Sequence, residues 1–176
     1  MRAAGFAYGL IRELSIKADR SGVEISGEMI GGLFTDDITM TEAPTEVEIV
    51  PILPNQVSVY ADDSAAGLGT TKLERVLSTE ISISNRFEAL WTLDADNESF
   101  AAHVETAPDA TMKLLVEADD VGMALLESMR TGAKMFVRFE AAGPAIDLTH
   151  DYLLHFDLCG TVTDVSEFSD QDGVYA

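Results

Sequence analysis

Three short stretches of this 176-residue chain contain residue types that could bind an ion or a ligand. Residues 67–72, with the sequence GLGTTK, have the glycines and the lysine of a phosphate loop. They lack the four-residue spacing before a Gly-Lys pair, and a strand pattern instead of a helix follows them. Residues 170–173 (DQDG) match part of a calcium loop but lack its first acid and its closing glutamate. We interpret both stretches as turns, the second with Asp-Gly at its tip.

The third stretch is a strand pattern in which His155, Asp157 and Cys159 would share one face. Successive side chains on such a face lie about 6.5–7 Å apart, which is too far for them to hold one metal ion. Acid pairs such as Asp62-Asp63 are adjacent in sequence and suit turns and caps better than acid–base catalysis. The sequence therefore predicts no catalytic residue, no metal site and no cofactor, and it predicts that the protein is not an enzyme.

The composition predicts one folded domain over residues 1–176. Hydrophobic residues make up 47% of the chain, which is enough to form a core. No apolar run approaches the roughly 18 residues that span a bilayer, so we expect no membrane insertion. The single cysteine, Cys159, excludes an internal disulfide and fits assembly in a reducing compartment.

The charge of the chain is strongly negative and unevenly placed. The formal net charge is −20, and neither residues 21–71 nor residues 139–176 contain a lysine or an arginine. A surface of this sign repels nucleic acid instead of binding it. Two interpretations remain open: the acids form a solvated surface that keeps the protein soluble, or some of them line a conduit through which a polyanion slides.

Alternation of apolar and polar residues predicts about ten short strands and one helix. The clearest hairpin joins residues 10–17 to residues 23–29, and we expect Gly143-Pro144 to break a later strand. The helix is predicted over Asp120–Thr131, with Asp119 or Asp120 as its N-cap and Gly132 at its end. These elements predict a mainly β fold of two packed antiparallel sheets, a β-sandwich or a partly closed barrel, with one flanking α-helix. The predicted core residues are Val23, Ile25, Ile81, Ile83, Val137, Phe139, Leu154 and Phe156, and the predicted apolar stripe of the helix is Val121, Leu125, Leu126 and Met129.

Several stretches, taken in order, resemble the tail tube (major tail) proteins of long-tailed, siphovirus-type bacteriophages of high-GC bacteria. They are residues 57–73 (VSVYADDSAAGLGTTKL), 99–105 (SFAAHVE), 114–119 (LLVEAD) with the helix after it, and 165–176 (VSEFSDQDGVYA). Residues 9–12 (GLIR) and 22–28 (GVEISGE) extend the resemblance over most of the chain. The order and number of these stretches carry the resemblance, since no single one is diagnostic. Such proteins usually extend past both ends seen here, so we expect that a terminal strand is missing and that the last sheet edge depends on a neighbour.

The resemblance implies a structural virion protein. Subunits of this family form hexameric rings whose strands join in a lumenal barrel, and the rings stack into the tube that delivers the genome. The implied partners are further copies and other phage tail proteins, and DNA passes through without specific binding. The implied location is the virion tail, after synthesis in the host cytoplasm. The alternative function is a monomeric β-sandwich adhesion or binding module at a phage tail tip or a cell surface.

Four glutamates are candidates for the wall of the lumen. Glu24 and Glu28 lie on one face of a predicted strand, and Glu46 and Glu48 lie on one face of another. In each strand the residues that point the other way are apolar, and we expect them to pack into the body of the subunit. The same alternation also fits an outer, solvated surface.

Overall fold

The computed structural model describes residues 4–36, 38–39, 43, 50–93, 99–146, 148–166, 170–171 and 174–175. The chain divides into two compact units. Unit 1 comprises Met1–Ile16, Ile25–Ile49 and Ile81–Met112, and unit 2 comprises Lys17–Glu24, Val50–Glu80 and Lys113–Ala176. Four long strands contribute residues to both units. That residues 1–176 form a single domain stays a prediction.

The described part of the chain is mainly β and contains one α-helix, α1 (Asp120–Thr131). Two four-stranded sheets have the strand orders β10-β7-β2-β3 and β12-β11-β5-β6, and the pairs β1-β4, β8-β9 and β13-β14 form short ribbons. The predicted fold class is confirmed: the arrangement fits a β-sandwich with one helix, and the sheets of the described part are not closed into a barrel. In chain order the strands are β1 (Ala4–Phe6), β2 (Leu10–Asp19), β3 (Gly22–Ile30), β4 (Phe34–Asp36), β5 (Val57–Asp62), β6 (Lys72–Leu73), β7 (Val76–Ser84), β8 (Phe87–Leu90), β9 (Ala102–Glu105), β10 (Asp109–Val116), β11 (Lys134–Ala145), β12 (Asp151–Thr161), β13 (Asp170–Gln171) and β14 (Val174–Tyr175).

In unit 2, β11 is one of the two inner strands of the sheet and contributes fully buried residues. β11 pairs antiparallel with β12 on one side and with β5 on the other, and Phe139 lies opposite both Phe156 and Val59. Phe139 is fully buried and Val59 is nearly so, and each lies on an inner strand with a paired strand on both sides. Of the predicted core residues in this unit, Phe139 is confirmed as buried, whereas Val23, Val137, Leu154 and Phe156 are half-buried.

The predicted break at Gly143-Pro144 is wrong. Strand β11 continues through both residues to Ala145, and its register with β12 shifts between Ala142 and Ala145. The shift is a bulge, a place where a strand tolerates a proline because no ladder hydrogen bond is required there. The predicted hairpin of β2 and β3 is confirmed, since only Arg20 and Ser21 separate the two strands.

Few large side chains are buried among the described residues of unit 1. Ile81 is 1% exposed and Ile16 is 2% exposed, while Ile83 is half-buried. The prediction that Ile25 belongs to the core is wrong, because this residue is 58% exposed. It lies on β3, an edge strand of its sheet. Alternation identifies the apolar face of a strand correctly but does not show whether another element covers that face.

The helix begins and ends at the predicted residues. The Asp119 carboxylate accepts a hydrogen bond from the Gly122 N–H at 3.0 Å, so Asp119 is the N-cap and Asp120 is the first helical residue. At the other end Gly132 has a φ of 64°, the left-handed conformation that glycine adopts most readily. Its N–H donates to the Met129 carbonyl, and the Ala133 N–H donates to the Ser128 carbonyl, which is the Schellman pattern. Leu125, Leu126 and Met129 of the predicted stripe are half-buried, and the Val121 side chain lies outside the described part.

Candidate assembly surfaces

In the stretch that resembles a phosphate loop, the backbone N–H groups bind a carboxylate of the chain itself. The backbone N–H groups of Gly69, Thr70 and Thr71 donate to the Asp62 carboxylate at 3.0, 3.3 and 3.1 Å. Partial burial raises the pKa of Asp62, but the hydrogen bonds from Thr71, Thr70 and Gly69 outweigh it and hold this pKa below its usual value of 3.8. Because Asp62 already uses the donors that a phosphate would need, this loop is a structural turn.

His155, Asp157 and Cys159 share one face of β12 as predicted, but His155 and Asp157 make side-chain contacts to the neighbouring strand β11. Arg138 donates two hydrogen bonds to Asp157, at 2.7 and 2.8 Å, from directly across the β11–β12 ladder. The same Arg138 contact lowers the pKa of Asp157. His155 Nε2 lies 2.8 Å from a carboxylate oxygen of Glu140, its cross-strand partner. Among the described residues, no three histidine, cysteine or acidic side chains are placed to hold one metal ion.

Two of the four candidate lumen residues lie in the described part of the chain. Glu24 and Glu28 are exposed and stand four residues apart on β3, so they share a face as predicted. Arg12 Nη1 lies 3.5 Å from Glu28, an exposed ion pair that contributes little to stability. Glu46 and Glu48 lie outside the described residues.

The apolar face of β3 does not pack into the subunit as predicted. Ile25 is 58% exposed and Met29 is 51% exposed, so this strand presents both an acidic face and an apolar face to solvent. The physical reason is the place of β3 at the edge of its sheet, where it pairs with β2 alone among the described strands. Strand β10 forms the other edge of the same sheet. An edge strand offers unpaired N–H and C=O groups to another chain.

Exposed apolar side chains are concentrated in unit 1. Among the described residues, twelve large hydrophobic side chains of unit 1 are exposed and six of unit 2 are, although unit 2 is the longer of the two. Those of unit 1 are Phe6, Tyr8, Ile11, Ile25, Met29, Leu33, Phe34, Ile38, Leu90, Trp91, Leu93 and Val104. Where exposed apolar side chains lie together, they mark interaction sites in soluble proteins.

An aromatic patch, formed by Phe6, Tyr8, Trp91 and Phe100, is part of this surface. A Cβ atom built on Gly32 would lie 3.2 Å from both Phe100 and Tyr8, and one on Gly31 would lie 2.8 Å from the Phe6 ring. The two glycines therefore leave room for the Phe6 and Phe100 rings to lie close to the backbone. The Trp91 ring meets the Phe100 ring edge-on, with centroids 5.9 Å apart.

The patch remains open to solvent on its outer side. Phe6 is 57% exposed, Tyr8 is 70% exposed and Trp91 is 62% exposed. At about 150–250 Å² for each aromatic side chain, these three residues alone expose roughly 300–450 Å². Sequence reasoning missed the patch because its members lie in three separate segments. The signal that could have found it is the Gly31-Gly32 pair, since two adjacent glycines permit side chains from elsewhere to pack closely on the backbone.

Comparisons with known proteins leave the family open. A scan against models of protein families gives no match, and a search of curated proteins gives none either. Within the described part of the chain, no helix has the length and apolar character needed to cross a membrane.

Proposed function

We propose that this protein is a structural subunit of a bacteriophage tail tube. In this proposal six copies form a ring, the rings stack, and the tube delivers the genome through a negatively charged lumen. The family resemblance of the sequence supplies the assembly and its role, and the role requires no catalytic residue, metal or cofactor. The observation that carries the proposal is the exposed apolar surface of unit 1.

That surface is unfavourably exposed to water in a monomer and can be buried when subunits associate. Burying apolar surface stabilises association by about 25 cal/mol per Å² before the costs of ordering are counted. The three exposed aromatic residues of the patch belong to the types that dominate the energetics of interfaces. A protein of net charge −20 also needs such contacts to associate with itself, because its copies repel one another.

The edges of the sheet β10-β7-β2-β3 support closure into a ring. If β3 of one copy pairs with β10 of the next, one heterologous contact repeats around the ring and no edge of this sheet stays open. Strand addition of this kind gains main-chain hydrogen bonds on both partners. The glutamates and the apolar residues of β3 then face opposite sides of the continued sheet.

The acidic face of β3 is our candidate for the wall of the lumen. Glu24 and Glu28 would repeat around the ring and repel the DNA backbone over a Debye length of about 8 Å at physiological salt. Ile25 and Met29, on the opposite face, would be covered by protein in the assembly. Glu46 and Glu48 remain predicted members of the same wall.

Sedimentation velocity and negative-stain microscopy of the wild-type protein test this proposal. We expect ring-sized species whose fraction grows with protein concentration, and stacks of rings at the highest concentrations. A protein that stays monomeric throughout would contradict the proposal and favour the adhesion or binding module instead.

A further inference from the structure

The sheet of unit 2 has one long open edge. Strand β12 (Asp151–Thr161) has 11 residues and pairs with β11 on one side, and no strand of the described part pairs with its other side. The opposite edge of the same sheet is β6, which has only two residues, and one of them is Lys72. The proposed ring uses β3 and β10 of the other sheet, so it leaves the edge of β12 unpaired.

Strand β12 lacks the features by which edge strands avoid pairing with other chains. Its sequence, DYLLHFDLCGT, contains no proline, lysine or arginine. The register with β11 shifts only near the start of β12, and from Leu153 to Thr161 it is continuous. A long, regular edge of this kind is a template for another strand.

The core-facing side chains of β12 are incompletely covered. Phe156 is half-buried, whereas Phe139, its neighbour on the inner strand β11, is fully buried. On the other face of β12, Leu153 is 55% exposed. The other half-buried residues of the core-facing side are Tyr152, Leu154 and Leu158. A strand added beside β12 would therefore remove apolar surface from water on both faces of the sheet.

The apolar face of β12 is complementary to itself. When two copies of the strand run antiparallel about a two-fold axis at Phe156, all 11 residues are paired. Leu154 then lies opposite the second copy's Leu158, and Phe156 lies opposite its own counterpart. The residues that face the core in one copy thus continue the core-facing side of the other.

The opposite face of β12 selects the same register. With the axis at Phe156, His155 lies opposite the second copy's Asp157, and this pair occurs twice. If the axis moves by one residue, either the two Asp157 carboxylates or the two His155 rings oppose each other, and like charges directly opposite destabilise a sheet. If it moves by half a residue, Phe156 lies opposite a polar residue.

His155 and Asp157 can both accept this second partner. Their side chains are 37% and 44% exposed. His155 uses Nε2 for its contact with Glu140, and its Nδ1 makes no hydrogen bond to the described residues. Each carboxylate oxygen of Asp157 accepts one hydrogen bond from Arg138 and keeps a further lone pair.

We propose that two copies of the protein pair their β12 strands antiparallel about a two-fold axis at Phe156. The contact joins two four-stranded sheets into one. Because it is isologous, it joins two copies and then stops, so the dimer covers this edge in the unassembled protein. The inference goes beyond the proposed function, since it concerns a different edge and requires no ring.

Leu153→Cys tests the register by cross-linking. The introduced thiol would lie opposite the second copy's Cys159, the single natural cysteine of each chain. Directly opposed residues of an antiparallel pair have Cα atoms about 4.5–5.5 Å apart, a distance that a disulfide can bridge. After oxidation with diamide, this variant should migrate as a covalent dimer on a non-reducing gel.

Wild type and Thr161→Cys are the controls for the cross-link. In the proposed register the two copies of Cys159 lie six residues apart along the strands, about 20 Å. A thiol introduced at position 161, which is exposed and on the same face, lies about 27 Å from the second copy's Cys159. Cross-linking of either control as readily as Leu153→Cys would overturn the register.

Charge substitution at the same two exposed positions tests the pairing without a covalent bond. Leu153→Lys/Cys159→Lys places lysines opposite each other twice, and Leu153→Glu/Cys159→Glu does the same with acids. Each double variant alone should dimerise about tenfold more weakly than wild type, and an equimolar mixture should recover dimers through opposite charges. Circular dichroism and melting confirm beforehand that both variants are folded. A mixture that dimerises no better than its components would contradict the pairing.

Sedimentation velocity separates this inference from the proposed function. We expect wild-type dimers at concentrations too low for rings. Rings that form directly from monomers, with no cross-link in Leu153→Cys, would overturn the dimer and leave the proposed function standing. Dimers that cross-link as predicted but never give rings would support the inference and contradict the proposed function.

Discussion

Asp62 fixes the path of the loop that follows β5 through three backbone hydrogen bonds. A carboxyl whose pKa is lower in the folded state stabilises the fold above its unfolded-state pKa and loses that contribution as the pH falls through the folded value. Asp62→Asn should therefore be less stable than the parent at neutral pH, and the difference should shrink as the pH falls below 3.8. Denaturant midpoints over a pH series measure this. Asp63→Asn, the neighbouring control, changes a carboxylate that accepts none of these three hydrogen bonds and should keep the parent's stability at neutral pH.

The start of α1 depends on one aspartate of an adjacent pair. Asp119 accepts the hydrogen bond from Gly122, so Asp119→Ala should lower the free energy of unfolding by about 0.5–2 kcal/mol. Asp120→Ala, the matched control, removes only a charge near the helix dipole and should cost a few tenths of a kcal/mol, at most about 1. Equal losses in the two variants, measured by urea unfolding, would show that the cap is assigned to the wrong residue.

The sequence predicts that one of two neighbouring aspartates, Asp119 or Asp120, caps the helix, but it does not predict which of them does. Both have the right side chain, and the choice depends on a shift of one residue in the backbone path. The sequence also predicts that Glu24 and Glu28 share a face, because strand periodicity alone determines it. It does not predict the aromatic patch, since that requires knowing how segments distant in sequence come together.

Two isoleucines of one sheet, both predicted as core residues, differ in burial because one lies on an inner strand and the other on an edge strand. Ile81 on β7 is 1% exposed, and Ile25 on the edge strand β3 is 58% exposed. Ile81→Ala should destabilise the monomer by about 2–5 kcal/mol. Ile25→Ala should change it by no more than about 0.5 kcal/mol, yet weaken assembly. A large loss of monomer stability for Ile25→Ala would show that its face is covered within the subunit.

The sequence predicts the secondary-structure elements better than it predicts which elements pack beside one another. The helix, the β2–β3 hairpin and the half-buried face of β12 follow from local patterns that the structure confirms. Local sequence patterns do not predict the bulge at Gly143-Pro144 or the exposed apolar face of β3, because both features depend on which strands lie beside them. An edge strand and a central strand can have the same alternation.

The charge of the whole molecule opposes the assembly that its apolar surface favours. Each copy carries a net charge of −20, so rings should form less readily at low ionic strength and more readily as salt screens the repulsion. Sedimentation velocity at several salt concentrations measures this dependence. Assembly that weakens steadily with added salt would show instead that ion pairs hold the copies together.

Whether the four candidate glutamates line the lumen can be tested only in the assembled tube. Replacing Glu24, Glu28, Glu46 and Glu48 with lysine should leave the tubes assembled, because these side chains face the channel, but should slow or block DNA passage through attraction of the phosphates. DNA ejection from particles built with this variant is the readout. Ejection at the wild-type rate would place these residues away from the lumen.

A cryo-electron microscopy reconstruction of the assembled protein tests the central claim most directly. The account predicts stacked rings of six copies in which β3 of one copy pairs with β10 of the next, Glu24 and Glu28 line the channel, and the aromatic patch of unit 1 is buried between copies. Particles in which these two edges stay unpaired and the aromatic patch faces solvent would contradict the account.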